Sequence, residues 1–107
     1  MQLLYYLAST GRSPFAEWFD SLAPDAAARV AIALKRMQQG NLSNAKAVGE
    51  GVLELRINFG PGYRIYFGYD GKTLVILLSG GTKRRQQRDI ETAKKQWSDY
   101  KKRKTDR

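Results

Sequence analysis

The stretch GVLELRINFGPGYRIYFGYDGKTLVILLSGG, residues 51–81, decides the fold. Leu53, Leu55, Ile57 and Phe59 alternate with Glu54, Arg56 and Asn58. A period of two sends the first set to one face of a strand and the second set to the other. Gly60, Pro61 and Gly62 then supply a tight reversal. The return strand carries Tyr63, Ile65 and Phe67 on one face, and Arg64 and Tyr66 on the other. Asp70 followed by Gly71 is a strong hairpin signal. The next strand, residues 73–79, is continuously apolar through its centre and is expected to be buried on both faces. Gly80 and Gly81 are expected to end it.

Upstream of this meander the period is helical. Residues 2–7 are apolar and aromatic and read as a first strand. Ser13 is a good N-cap and Pro14 suits the first helical position. Phe15, Trp18, Phe19 and Leu22 then recur at i, i+3, i+4 and i+7. After a break ending at Pro24, a second helix presents Val30, Ala33, Leu34 and Met37 at the same spacing. Gly40 and Asn41 stop it, and the two helices are close enough to form a hairpin. Residues 41–51 read as a polar loop. Downstream, Ile90, Ala93, Trp97 and Tyr100 define a basic amphipathic helix, with residues 101–107 expected to fray. The expectation is one α+β domain over residues 1–107, a small antiparallel sheet packed against an N-terminal helical hairpin and a C-terminal helix.

Composition limits the chemistry. The 107 residues contain no cysteine and no histidine. Disulfides, thiolate sites and the usual neutral-pH proton carrier are therefore excluded, and neither a metal nor a cofactor is expected. The N-terminal apolar run is short and lacks a basic start, so it does not read as a signal peptide. No apolar run approaches a membrane span, and a cytoplasmic protein is expected. The net charge of +9 is uneven, because residues 81–107 hold 11 of the 19 Lys and Arg and only 4 of the 10 acids. A one-ended positive field points to a polyanionic partner, either nucleic acid or an acidic protein.

Two glycine motifs carry no ligand. Gly71-Lys72-Thr73 resembles the end of a phosphate loop, but Tyr66 stands where the first glycine is needed and a strand follows the lysine. Gly49-Glu50-Gly51 lacks the third glycine of a dinucleotide fingerprint. The polar hairpin face says more. Arg56 and Arg64 share it with Tyr66, and two cations there call for an anion between them. Glu54 or a bound phosphate would serve equally well. Gly80-Gly81-Thr82-Lys83-Arg84-Arg85 leaves the buried strand, and its bare backbone lets a ligand approach under the cations.

Five local patterns resemble one family. They are GRSPFAEW at residues 11–18, GEGVLELR at 49–56, GPGYRIYF at 60–67, LLSGGTK at 77–83 and QQRDI at 86–90. Together they resemble the toxins of the RelE/ParE superfamily, in the HigB-like branch of phage-derived, Gp49-like addiction-module killer proteins. The resemblance runs from the first strand to about Arg103 and implies a RelE-like fold. It also implies a cognate helix-turn-helix antitoxin of the HigA type, with operator DNA engaged only through that antitoxin. Its activity would be ribosome-dependent cleavage of messenger RNA. ParE-like inhibition of gyrase without chemistry, or a degenerate toxin serving as co-repressor, are the alternatives.

By the same resemblance, Arg56, Arg64 and Lys83 occupy the positions of the catalytic cations, with Tyr66 as a further candidate. Arg84, Arg85, Arg88 and Lys94 are the candidates for holding RNA phosphates. Many ribonuclease members carry a Tyr or His near the last helix; here the region reads RQQRDI, with no such residue until Tyr100. Guanidinium groups suit phosphoryl oxygens, because they bind bidentately and keep their protons. That leaves proton transfer to Lys83 or Tyr66, with the ribosome supplying alignment. Removing Arg64 is expected to abolish toxicity while leaving the domain folded.

Overall fold

The computed structural model describes residues 1–105. In chain order the elements are β1 (Gln2–Tyr5), α1 (Pro14–Asp20), α2 (Pro24–Gln38), β2 (Ala45–Gly49), β3 (Val52–Ile57), β4 (Tyr63–Asp70) and β5 (Leu74–Thr82). A 3-10 turn, Lys83–Arg85, and α3 (Gln86–Thr105) complete the domain. The five strands form one sheet in the order β1-β5-β4-β3-β2. Strands β2 to β5 make an antiparallel meander, but β1 lies parallel to β5, from Gln2 beside Leu74 to Tyr5 beside Leu77. The α+β expectation holds, whereas the sheet is mixed rather than antiparallel. β5 is buried on both faces, and β1 covers the edge that the meander leaves free. A parallel partner needs a long connection, which the helices and the meander provide.

The helices lie on opposite faces of the sheet. On one side, Phe15 of α1 and Val30 and Met37 of α2 pack with Leu55, Ile65, Phe67, Val75 and Leu77. Ser13 caps α1 by accepting from the Ala16 N–H at 3.0 Å, and Pro14 and Pro24 each sit in a first turn, where a missing N–H costs nothing. On the other side, Ile90, Ala93 and Trp97 of α3 pack with Tyr6, Val52, Tyr66, Ile76 and Leu78. β4 is therefore buried on both faces, as β5 is, and its polar side chains lie under α3 rather than in solvent.

The expected loop over residues 41–51 contains a strand, β2. Its sequence AKAVG has little apolar alternation, and pairing with β3, Lys46 opposite Glu54, is what makes it a strand. Gly49, Glu50 and Gly51 all adopt positive φ to turn the chain between β2 and β3. Gly80 and Gly81 do not end β5, which runs on to Thr82. They are bare because side chains of the same molecule cross there. A Cβ at Gly80 would lie 2.2 Å from the Trp18 ring, and one at Gly81 2.0 Å from the Asp89 carboxylate. No external ligand is needed to explain them.

α3 continues to Thr105, so residues 101–105 are not frayed; residues 106 and 107 lie outside the described residues. Its end is fastened twice. Tyr100 donates to Asp70 at 2.6 Å, and Lys104 pairs with the same carboxylate. Arg103 binds both Asp99 and the Leu7 carbonyl. Lys104 and Tyr100 hold the Asp70 carboxyl below its ordinary range, and Tyr6 and Arg103 do the same for Asp99. Among the described residues no helix is long and apolar enough to cross a membrane.

Candidate phosphate-binding site

Register assembles the site. Across β3 and β4, Arg56 stands opposite Arg64, and Glu54 opposite Tyr66. Across β4 and β5, Arg64 stands opposite Gly81, and Tyr66 opposite Ser79. A bulge makes the last pair possible. The register shifts between Tyr66 and Phe67, so Leu78 is the extra residue, and Leu78 and Ser79 both turn toward α3. The first turn of α3 then lowers Gln86 and Asp89 onto this grid.

Glu54 is the anion between the two guanidinium groups. It is fully buried, with Arg64 Nε at 3.6 Å and Arg56 Nε at 3.9 Å. Gln86 Nε2 donates to both of its oxygens, at 3.2 and 2.9 Å. Of the two anions open to the sequence, the intramolecular carboxylate occupies the position. Arg64 is 3% exposed, whereas the Arg56 side chain is half in solvent. Arg64 is thus the inner member of the pair and Arg56 the outer.

The rest of Arg64 points away from Glu54. Its Nη1 is buried without a hydrogen-bond partner among the described residues. It is aimed at the reversal between β3 and β4, where a Cβ on Gly62 would lie 3.7 Å from Nη1 and 3.6 Å from Lys83 Cβ. The Lys83 N–H donates to the Gly62 carbonyl at 2.9 Å, which ties the 3-10 turn to that reversal. The Arg64 guanidinium and the root of the Lys83 side chain thus both flank a bare glycine, and exposed Lys83, Arg84 and Arg85 form a cationic rim beside it. Arg88 is also exposed, one turn into α3. Burial raises the Asp89 carboxyl above its usual range, while Arg85 and Arg88 oppose the rise.

Two candidates sit apart from the rim. Tyr66 is wholly buried, and its hydroxyl has no hydrogen-bond partner among the described residues. Burial first, then the charge and hydrogen-bonding reach of Glu54 and the charge of Asp89, push its pKa far above the ordinary phenol range, with Arg64 opposing. It keeps its proton at neutral pH, so it is no general base, and its burial keeps it from solvent and substrate. Tyr66→Phe should change stability by no more than about 1 kcal/mol in a thermal melt, because the buried hydroxyl has at best a weak interaction with Glu54 to lose. Lys94 is the other outlier. Glu50 at 3.6 Å and Glu91 at 3.7 Å hold its ammonium beside the β2–β3 turn, so its charge is already matched.

Glu54, Ser79, Gln86 and Asp89 belong to the cluster, and the alternation of residues 53–59 flagged only the first. Ser79 depends on the bulge, which leaves no mark in sequence. Gln86 and Asp89 stand in the QQRDI pattern, but only the docking of α3 shows that they face the sheet. No group of three or more metal-ligating side chains occurs among the described residues.

A buried carboxylate thus orients an inner arginine, and an outer arginine, a lysine and a basic turn surround its free end. Residues 17–98 match the family described as "Phage derived protein Gp49-like (DUF891)", and the chain belongs to that family. An uncharacterized protein of Haemophilus influenzae is 43% identical over 81 residues, covering 75% of this chain and 82% of that one. The family match spans every residue of the rim and of the buried cluster.

Proposed function

We propose that this protein is the toxin of a type II toxin–antitoxin module and arrests translation by cutting messenger RNA on the ribosome. The observation that carries this reading is the gathering of cations at one end of the sheet, Arg56 in register with Arg64 and the exposed Lys83–Arg85 turn tied to Gly62 beside them. Membership of the Gp49-like family, one of toxin-like addiction-module proteins, supports it. In the proposed reaction a ribose hydroxyl attacks the adjacent phosphorus. One P–O bond forms, the bond to the next nucleotide's oxygen breaks, and a proton passes from the attacking to the leaving oxygen. Exposed Arg56 meets the added negative charge, buried Arg64 supports it from behind through its field, and exposed Lys83 is assigned the proton transfer. With Tyr66 enclosed and no histidine in the chain, alignment by the ribosome supplies much of the rate. The partners in this reading are the ribosome and its messenger, and a HigA-like helix-turn-helix antitoxin that carries the complex to operator DNA. The RelE/ParE fold and the HigB-like branch are part of the same proposal.

The test is induced expression without antitoxin, followed by primer-extension mapping of cellular transcripts. Breaks confined to translated frames, and lost when initiation is blocked, are the expected result. Arg56→Ala and Lys83→Ala remove exposed side chains and should reduce cleavage by about 100-fold or more with the fold intact. Growth arrest with intact transcripts would sink the nuclease and favour a second reading, gyrase inhibition by binding alone. The enclosure of Tyr66 is the observation on that side, since it leaves Lys83 as the sole proton carrier among the proposed groups.

A further inference from the structure

A second cationic cleft lies on the opposite side of Arg56. α2 and β3 enclose a cavity of about 310 Å³ between them, closed at one end by the chain that follows α2. Three arginines line it, Arg29 and Arg36 from α2 and Arg56 from β3, and no carboxylate does. Arg29 and Arg36 are seven residues apart, two helical turns, so they project from one face. Neither makes an ion pair with a carboxylate among the described residues. The Arg29 guanidinium lies over the Phe59 ring, 4.6 Å from its centroid. Asn41 and Asn58 add amides to the wall. Arg56 already has Glu54 at 3.9 Å, but Arg29 and Arg36 add two cations with no carboxylate beside them, and a polyanion in the concavity would match their charge.

We infer that this cleft binds a single RNA strand, taking its phosphates on Arg29 and Arg36 and stacking a base against the Arg29–Phe59 platform. The inference rests on the RNA-directed reading above and extends it. Arg56 lines this cleft and also flanks the Glu54–Arg64 pair, so one strand can pass from the cleft to the rim without leaving the protein. An acidic protein segment would satisfy the charge alone. The aromatic platform and the amides, which suit a base and its edges, favour RNA.

The experiment is fluorescence anisotropy of the intact protein with a labelled, mixed-sequence single-stranded RNA across a salt series. It compares the parent with R29A/R36A, with Lys83→Ala, and with R12A/K72A, which removes the same charge elsewhere. All these positions are exposed, and melting temperatures confirm folding. For R29A/R36A the dissociation constant should rise at least about tenfold. The slope of log K against log salt should become shallower by about 1.4, the value for two lost contacts to a single strand. The R12A/K72A control should change much less. Equal weakening in the control, unchanged binding by R29A/R36A, or no salt-dependent binding by the parent would each overturn the cleft. Normal RNA binding with lost capture of an acidic antitoxin would also overturn it, in favour of a protein-binding cleft. Transcript breaks in cells are read separately, so a failed cleft leaves the nuclease reading standing, and intact transcripts with a functioning cleft would remove only the nuclease.

Discussion

Arg64→Ala should lower the melting temperature by roughly 15–30 °C, and calorimetry or circular dichroism will measure it. Both partners of the pair are out of water, Glu54 at 0% and Arg64 at 3% exposure. Truncating Arg64 leaves a buried carboxylate with Gln86 and the more distant Arg56. Breaking a buried pair from one side costs about 3–5 kcal/mol, a large part of the roughly 5–15 kcal/mol that holds a domain together. This overturns the expectation that Arg64 can be removed with the fold intact, because sequence does not show that α3 covers it. Replacing both partners, Glu54→Gln with Arg64→Met, should restore much of the loss, since no charge then stays buried alone. A parent-like melting curve for Arg64→Ala would mean that the ion pair is not enclosed. Toxicity lost in Arg64→Ala is therefore no test of catalysis, and the exposed positions Arg56 and Lys83 must carry that test.

Gly80→Ala should be nearly as damaging, at about 3 kcal/mol or more. Its Cβ would stand 2.2 to 2.4 Å from three atoms of the Trp18 ring. The indole cannot retreat easily. Phe15 packs against it at 5.6 Å between centroids, and Tyr63 at 6.4 Å. Gly81→Ala is the internal comparison. Its nearest contact is closer, 2.0 Å, but it is with the Asp89 carboxylate, the end of a partly exposed side chain that can swing outward. The expected order in urea melts is Gly80→Ala well below Gly81→Ala, with Trp18→Leu partly rescuing the former. The reverse order would mean that Trp18 is not pressed on β5.

The two variants also mark what sequence reveals here and what it conceals. Alternation through residues 53–67 correctly paired Arg56 with Arg64 on one face, because a period of two follows from strand geometry alone. The apolar spacing of Phe15 to Leu22 and of Val30 to Met37 likewise placed α1 and α2. Properties decided by neighbours were out of reach. Lys46 and Ala47 belong to a strand because β3 offers them an edge. Gly80 and Gly81 read as a stop when only their own chain is considered, but they are clearance for Trp18 and Asp89. Arg64 and Tyr66 read as a polar surface until α3 lies across them. Of the rim, the cations themselves were legible. Glu54 was legible as one of two possible anions between them; Gln86, Asp89 and the bulge that turns Ser79 inward were not.

The parallel pairing of β1 with β5 bears on how the protein is born. β1 finds its partner only when residues 74–77 have been made. The buried cluster needs Gln86 as well, and α3 is fastened by contacts near its far end. During synthesis, Leu4 and Tyr5 must wait without a neighbour, and the rim has no roof. The meander can pair strand by strand, whereas β1 must close a long loop to reach β5, the slow kind of contact to form. The Glu54–Arg64 pair is therefore enclosed only once α3 exists to cover it.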